Sequence, residues 1–200
     1  MDAGKPTTCA FFGMTLHRHV RSDKLGGVKP KTLHLVTVLG FVALAQAQST
    51  EIPTNLQPPA GEKLVLKTHA TGWQIYSCGP GTDGKPAWTL KAPDAELHDP
   101  SGHVVIHHSA GPAWTHHDGS QVTGKAVARA DAPDGKSIPW LLVTVVGHSG
   151  KGVLANVSSI QRVHTEGGQA PAAAECDPAK PSPDARSSYA ADYYFYAPAK

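Results

Sequence analysis

Short runs of β-branched and aromatic residues, broken at short intervals by Gly, Pro and Asp, are the feature that most constrains this chain. Val, Ile, Thr and aromatic side chains fit a pleated sheet, whereas Gly, Pro and Asp mark turns. From residue 63 onward no stretch carries a convincing helical repeat of apolar residues. The pattern predicts a single all-β domain over residues 63–200, an antiparallel β-sandwich or squat barrel of about eight to ten strands.

Two segments are expected to build the core of this domain. Ile138–Val146 is continuously apolar, so it should lie in the middle of the domain and be covered on both faces. Tyr189–Ala197 alternates instead, with Tyr193 and Phe195 on one face. Two tryptophans in apolar strands are expected to be buried as well. They are Trp73 and Trp140.

The two cysteines that follow residue 47 are Cys78 and Cys176. Neither has the C-x-x-C spacing of a redox or zinc motif. In an oxidising compartment an isolated pair most simply forms one disulfide, with two separately buried thiols as the alternative. A bond that closes a loop of roughly 100 residues would stabilise the fold by about 4–5 kcal/mol in the chain-entropy model.

Residues 28–47 have the pattern of a signal peptide. Lys29 and Lys31 form a basic start, Leu33–Ala45 is an apolar run, and a small residue at Ala47 completes an A-x-A cleavage signal. The apolar run is short for a membrane span, which needs about 20 residues, so a single membrane anchor is the weaker alternative. We therefore expect an exported protein, periplasmic or secreted, with no membrane span after cleavage.

The flanking segments differ in composition from both the apolar run and the domain. Residues 1–27 show no periodicity and no core, and are expected to be untranslated or disordered, with translation starting at Val28. Residues 48–62 are polar and proline-rich and are expected to form an extended lead-in.

The charge of the exported chain excludes one class of partner. Residues 1–47 hold six of the 18 Lys and Arg and two of the 16 Asp and Glu. The remaining chain therefore has 12 basic and 14 acidic residues, which gives about −2 with histidine neutral. No basic patch of the kind that nucleic-acid binding needs is left. We expect a monomer that binds an unknown ligand, with no nucleic acid.

Three blocks of sequence carry a resemblance to a known family. They are "HSAGPAWTHHDGSQVTGKAVAR", "IQRVHTEGGQAP" and "YAADYYFY". From about Pro58 to Tyr196 the chain resembles the secreted domain-of-unknown-function family 3455 of bacteria and filamentous fungi. The resemblance implies a secreted or periplasmic single domain. It implies no catalytic role for any residue, because no activity is established for the family.

A histidine cluster suggests a metal site. If Gly111 and Pro112 form a hairpin tip, His107 should lie opposite His116, with Cβ atoms about 5 Å apart. Zinc or copper could bind there with a third ligand. Candidates for that ligand are His69, His103 and Asp118. The alternative is a set of solvated histidines on an exposed hairpin.

Aromatic residues offer a second kind of site. Trp88 and Trp114 follow turn sequences, so they are expected to be exposed and could form a platform for sugar rings. His108, near Trp114, is either a structural hydrogen-bond partner or a binding contact. Asp94 and Glu96 share a strand face, but solvated charges explain them more simply than a glycosidase pair.

These observations favour an exported, non-catalytic binding or envelope protein. Two alternatives stay open. One is a metal-dependent enzyme, a hydrolase or oxidoreductase that uses the histidine cluster with zinc or copper. The other is a carbohydrate-binding module.

Overall fold

The computed structural model describes residues 51–180 and 184–200. Within these residues, eight antiparallel strands follow one another around a closed barrel, and the last strand pairs with the first. The predicted all-β class is confirmed, and of the two predicted architectures the barrel is the one found. The strands are β1 (Glu62–Pro80), β2 (Pro86–His98), β3 (Val104–Ser109), β4 (Ala113–His116), β5 (Gln121–Ala130), β6 (Trp140–Ser149), β7 (Ser159–Gly167) and β8 (Asp184–Pro198).

The barrel interior forms the main hydrophobic core. Side chains alternate between the two faces of each strand, so every second residue points inward. On β8 the inward residues include Tyr193 and Phe195, which are 1% and 0% exposed, as the alternation of Tyr189–Ala197 predicts. They pack with Leu97, Ile106 and Ile160 from three other strands.

A second, smaller core lies on the outer face of β6 and β7. Leu56, in the short 3-10 helix Thr54–Leu56, is fully buried there against Trp140, Leu142 and Val163. The first half of β6 is therefore covered on both faces, as its continuous apolar sequence predicts. The second half is not, because Val146 is 63% exposed.

The face of β1 that turns inward is the opposite of the one expected. Trp73 is 42% exposed on the outside, where the guanidinium of Arg186 lies 5.4 Å from its ring centroid. The even-numbered neighbours point inward instead, and Gln74 is only 1% exposed. The prediction that Trp73 is buried is wrong, because the register of the whole strand, with Ala70 fully buried, fixes which face the tryptophan takes.

Connections between antiparallel strands alternate between the two ends of the barrel. The turns at 81–85, 110–112 and 131–139 and the long connection after β7 share one end, which we call the mouth. Cys78 at the end of β1 forms the predicted disulfide with Cys176 in that long connection. Tyr76 Oη also donates to the carbonyl oxygen of Gly168 at 2.7 Å. The long connection is thus fastened to β1 at two points.

At the opposite end, Asp118 joins the β4–β5 turn to the loop after β6. Its carboxylate accepts hydrogen bonds from Ser120 N and Oγ at 2.8 and 2.6 Å and from Val153 N at 2.8 Å. These bonds hold the pKa of Asp118 below its ordinary value, so the carboxylate stays charged at neutral pH. We call this set of hydrogen bonds the Asp118 clamp.

The predictions for residues 1–27 and for the signal peptide at 28–47 lie outside the described residues. Among residues 51–180 and 184–200, the structure contains no apolar helix of membrane-spanning length.

Candidate ligand site inside the barrel

A cavity of about 290 Å³ opens inside the barrel toward the mouth. Its wall is mostly apolar, while a few polar side chains reach into it from different strands. The lining residues are Gln74, Leu90, Lys91, Ala92, Pro93, His108, Gly111, Pro112, Trp114, Ala126, Leu141, Val143, Arg162 and Tyr193.

Strand register explains why these residues meet. Residues directly opposite each other on antiparallel strands share one face of the sheet. Several lining residues form such pairs around the barrel, so the cavity is built by the rigid strands and not by loops alone. The pairs are Gln74 with Pro93, His108 with Trp114, Ala126 with Val143, Leu141 with Arg162, and Arg162 with Tyr193.

Three aromatic rings form the floor of the cavity. His108 stacks on Trp114, and Tyr193 meets both rings edge-on at centroid distances of 5.5 and 6.2 Å. His108 Nδ1 donates to the carbonyl oxygen of Ala113 at 2.8 Å, so this nitrogen carries the proton. Burial lowers the pKa of His108 to about 3, which leaves the imidazole neutral with Nε2 as an acceptor.

Three buried hydrogen-bond donors of the lining residues have no partner among the described residues. They are Gln74 Nε2, Trp114 Nε1 and Arg162 Nε. A buried donor without an acceptor costs about 1–3 kcal/mol, so native proteins rarely leave several together. A fourth such donor, Trp140 Nε1, belongs to the outer core. Three of the four unsatisfied donors among the described residues therefore belong to residues that line the cavity.

Arg162 brings a positive charge to the same place. Its Nη2 donates to the carbonyl oxygen of Pro139 at 2.9 Å, a contact that orients the guanidinium without neutralising it. Burial raises the pKa values of Tyr76 and Tyr189, and the charge of Arg162 opposes that rise in both. Both hydroxyls therefore stay neutral and supply no counter-charge.

The histidines predicted as metal ligands lie apart. His107 is exposed and 3.8 Å from Asp94, His116 Nδ1 lies 3.0 Å from Asp118, and His69 Nδ1 lies 2.9 Å from Asp192. In the part of the chain that the structure describes, no group of three His, Cys, Asp or Glu side chains could hold a metal ion. Zinc or copper binding remains an untested prediction.

The register predicted for this hairpin is wrong by one residue. His107 lies opposite Thr115, and His116 lies opposite Ile106. The turn between Ser109 and Ala113 holds three residues instead of two, and a shift of one residue places the two histidines on opposite faces of the sheet. His103, offered as a third ligand, lies 3.6 Å from Asp99 at the far end of β3.

The tryptophans predicted as an exposed platform do not form one. Trp114 is 2% exposed, so the prediction that it lies on the surface is wrong. It sits on an inward position of β4 opposite Val122, which is also buried. Trp88 is half-buried at the mouth, where its Nε1 donates to the carbonyl oxygen of Ala172 at 3.2 Å.

Sequence reasoning placed His108 and Trp114 among the candidates but missed Gln74, Arg162 and Tyr193. The alternation around Arg162 gave no clear signal, because Ile160 on one face and Val163 on the other are both fully buried. For Gln74, the neighbouring Trp73 suggested the opposite orientation.

Comparison with known proteins supports the resemblance seen in the sequence. The family model described as "Protein of unknown function (DUF3455)" matches residues 59–197, which span all eight strands except Pro198 at the end of β8. No curated protein and no solved structure matches the chain. The chain therefore belongs to the DUF3455 family.

Proposed function

We propose that this protein is an exported, non-catalytic binding protein that holds a small, largely apolar ligand with a hydrogen-bond acceptor inside its barrel. The observation that carries the proposal is the set of three buried donors around one cavity: Gln74 Nε2, Trp114 Nε1 and Arg162 Nε. An acceptor on the ligand would satisfy them.

The rest of the cavity suits an apolar ligand body. Leu90, Ala126, Leu141 and Val143 contribute apolar wall around the polar groups, the usual composition of a small-molecule pocket. A volume of about 290 Å³ is at the lower end for such pockets. At about 30 Å³ for each non-hydrogen group, it suits a ligand of about ten non-hydrogen atoms.

Binding is favoured over catalysis by the state of His108. An efficient general base needs a pKa near the working pH, whereas burial lowers the pKa of His108 to about 3. Its Nδ1 is already engaged by Ala113. Both facts support a structural and ligand-contacting role for this imidazole.

Export is supported by two independent features. The sequence at 28–47 has the order of a signal peptide, and a Cys78–Cys176 bond is most stable in an oxidising compartment. Fusing residues 1–47 to a reporter that is active only outside the cytoplasm tests this part. A reporter that remains inactive would contradict export.

Ligand-detected NMR with a library of compounds of about ten non-hydrogen atoms tests the binding role. Ala126 lines the cavity but is solvent-exposed, so Ala126→Trp should fill the mouth without overpacking the core. We expect the hits to lose at least tenfold in affinity in this variant. Val127→Trp is the matched control, because Val127 is 56% exposed, lies next in sequence and does not line the cavity. Absence of any hit, or equal loss in both variants, would contradict the proposal.

A further inference from the structure

We propose that the ligand is a carboxylic acid of about ten non-hydrogen atoms, with its carboxylate held by Arg162 and Gln74 and its apolar body against Leu141 and Ala126. This inference rests on the proposed binding function and specifies the ligand class.

Arg162 differs from the other described arginines in having no carboxylate partner within the described residues. Three arginines lie in the described part of the chain, and two of them have a carboxylate partner. Arg129 lies 3.6 Å from Asp131, and Arg186 lies 2.7 Å from Asp94. Within the same residues, no carboxylate lies within 4 Å of Arg162, although it is the arginine that lines the interior cavity. A partly buried charge is costly without a counter-charge, so an anion should be favoured there.

Two residues of the cavity lining, Arg162 and Gln74, have hydrogen-bond donors without a partner among the described residues. Arg162 uses Nη2 on the carbonyl oxygen of Pro139, while its Nε has no partner among the described residues. A guanidinium binds a carboxylate through parallel N–H bonds, for which the Nε edge is suited. Gln74 Nε2 adds a neutral donor from the strand on the far side of β8. A carboxylate has two oxygens and therefore offers acceptors to both side chains.

The cavity lining contains one other basic residue, Lys91. Lys91 lies at the rim, but its Nζ is 2.5 Å from the carboxylate of Asp184, so its charge is already matched. The charge selectivity of the cavity should therefore depend on Arg162. The aromatic floor and apolar wall then select an alkyl or aryl body over a polar one.

Titration calorimetry with three eight-carbon ligands tests the inference. Octanoate, 1-octanol and octylammonium share one alkyl body and differ in the charge of the head group. At neutral pH we expect octanoate to bind at least tenfold more tightly than 1-octanol and octylammonium to bind more weakly than either. 3-Phenylpropionate and 3-phenylpropanol repeat the comparison with an aryl body.

Arg162→Met should remove the preference for octanoate over 1-octanol, while Arg129→Met, on an exposed and already paired arginine, should retain it. If Arg162→Met does not fold, the preference of the unmodified protein among the three ligands still tests the carboxylate inference. Equal or tighter binding of 1-octanol would overturn the carboxylate inference and leave the binding function standing. Binding of none of the five ligands would overturn the inference as well, and the broader library then decides the binding function.

Discussion

The imidazole of His108 lies parallel to the indole of Trp114, with ring centroids 4.4 Å apart and an interplanar angle of 7°. The two residues face each other across β3 and β4, and both are almost fully buried. The stack explains why a chain would keep a titratable group inside a barrel. The neutral ring packs as an aromatic surface, and its Nδ1 satisfies the carbonyl oxygen of Ala113.

His108 should make the protein less stable in mild acid. Its folded pKa of about 3 lies below the unfolded value of 6.5, so the unfolded chain takes up the proton first as the pH falls. The stabilisation is fully present above about pH 6.5 and is lost as the pH falls toward about 3. Between about pH 7.5 and about pH 5 the loss should be on the order of 2 kcal/mol.

Chemical denaturation at both pH values checks this, using His108→Gln. The variant should lose less of its free energy of unfolding on acidification than the unmodified protein. His103→Gln is the control, since the His103 side chain is 80% exposed. NMR titration of His108 in the native protein gives a second readout, and a native pKa near 6.5 would contradict the account.

Reduction of the Cys78–Cys176 bond should lower the melting temperature by well over about 5 °C. The bond spans 98 residues of sequence, and a loop of that size corresponds to about 4–5 kcal/mol in the chain-entropy model. Calorimetric melting with and without reductant measures the shift. The Cys78→Ser/Cys176→Ser double variant should melt at the temperature of the reduced protein. Its melting temperature should not change when reductant is added. A shift near zero in the unmodified protein would disprove the stabilising role.

Gly152→Ala should destabilise the protein by about 1–3 kcal/mol more than Gly119→Ala. Both glycines have positive φ, at 148° and 86°, so backbone strain affects both variants. Only at Gly152 would a Cβ overlap the Asp118 carboxylate, whereas nothing lies within 4 Å of a Cβ at Gly119. Urea denaturation compares the two. Equal losses in the free energy of unfolding would show that the Asp118 carboxylate moves away from a Cβ at position 152 at little cost.

Metal content tests the histidine prediction directly. Because His107 and His116 occupy opposite faces of the hairpin, we expect no tight stoichiometric zinc or copper that depends on both. Elemental mass spectrometry of untagged protein, compared with His107→Ala and His116→Ala, measures this. One equivalent of metal in the unmodified protein, lost in both variants, would restore the metal-site hypothesis and require a different hairpin register in solution.

Local sequence patterns were enough to predict β-strands and the disulfide, but not how the sheet closes. The alternation of Tyr193 and Phe195 sufficed to predict which face of β8 is buried. Closure depends on pairing between β1 and β8, whose partners Glu62 and Pro198 are far apart in sequence. Such non-local pairing leaves no local signature, so a sandwich and a barrel fit the sequence equally well.

The candidate site was only partly predictable for a related reason. His108 and Trp114 stand out as residue types, but their burial depends on a three-residue turn that shifts the register by one. Gln74 and Arg162 look like surface residues, because polar side chains usually face solvent. Only the closed barrel shows that both point into one cavity.

The Nε1–H resonance of Trp114 tests the central claim most directly, because Trp114 lines the cavity and its buried Nε1 donor lacks a partner within the described residues. In a two-dimensional ¹H–¹⁵N spectrum, assigned with Trp114→Phe, octanoate should shift this resonance saturably as the ligand fills the cavity. The Nε1–H of Trp140, a buried donor of the outer core, should stay in place. An unmoved Trp114 resonance at saturating octanoate, or a shift of Trp140 alone, would contradict a ligand site inside the barrel.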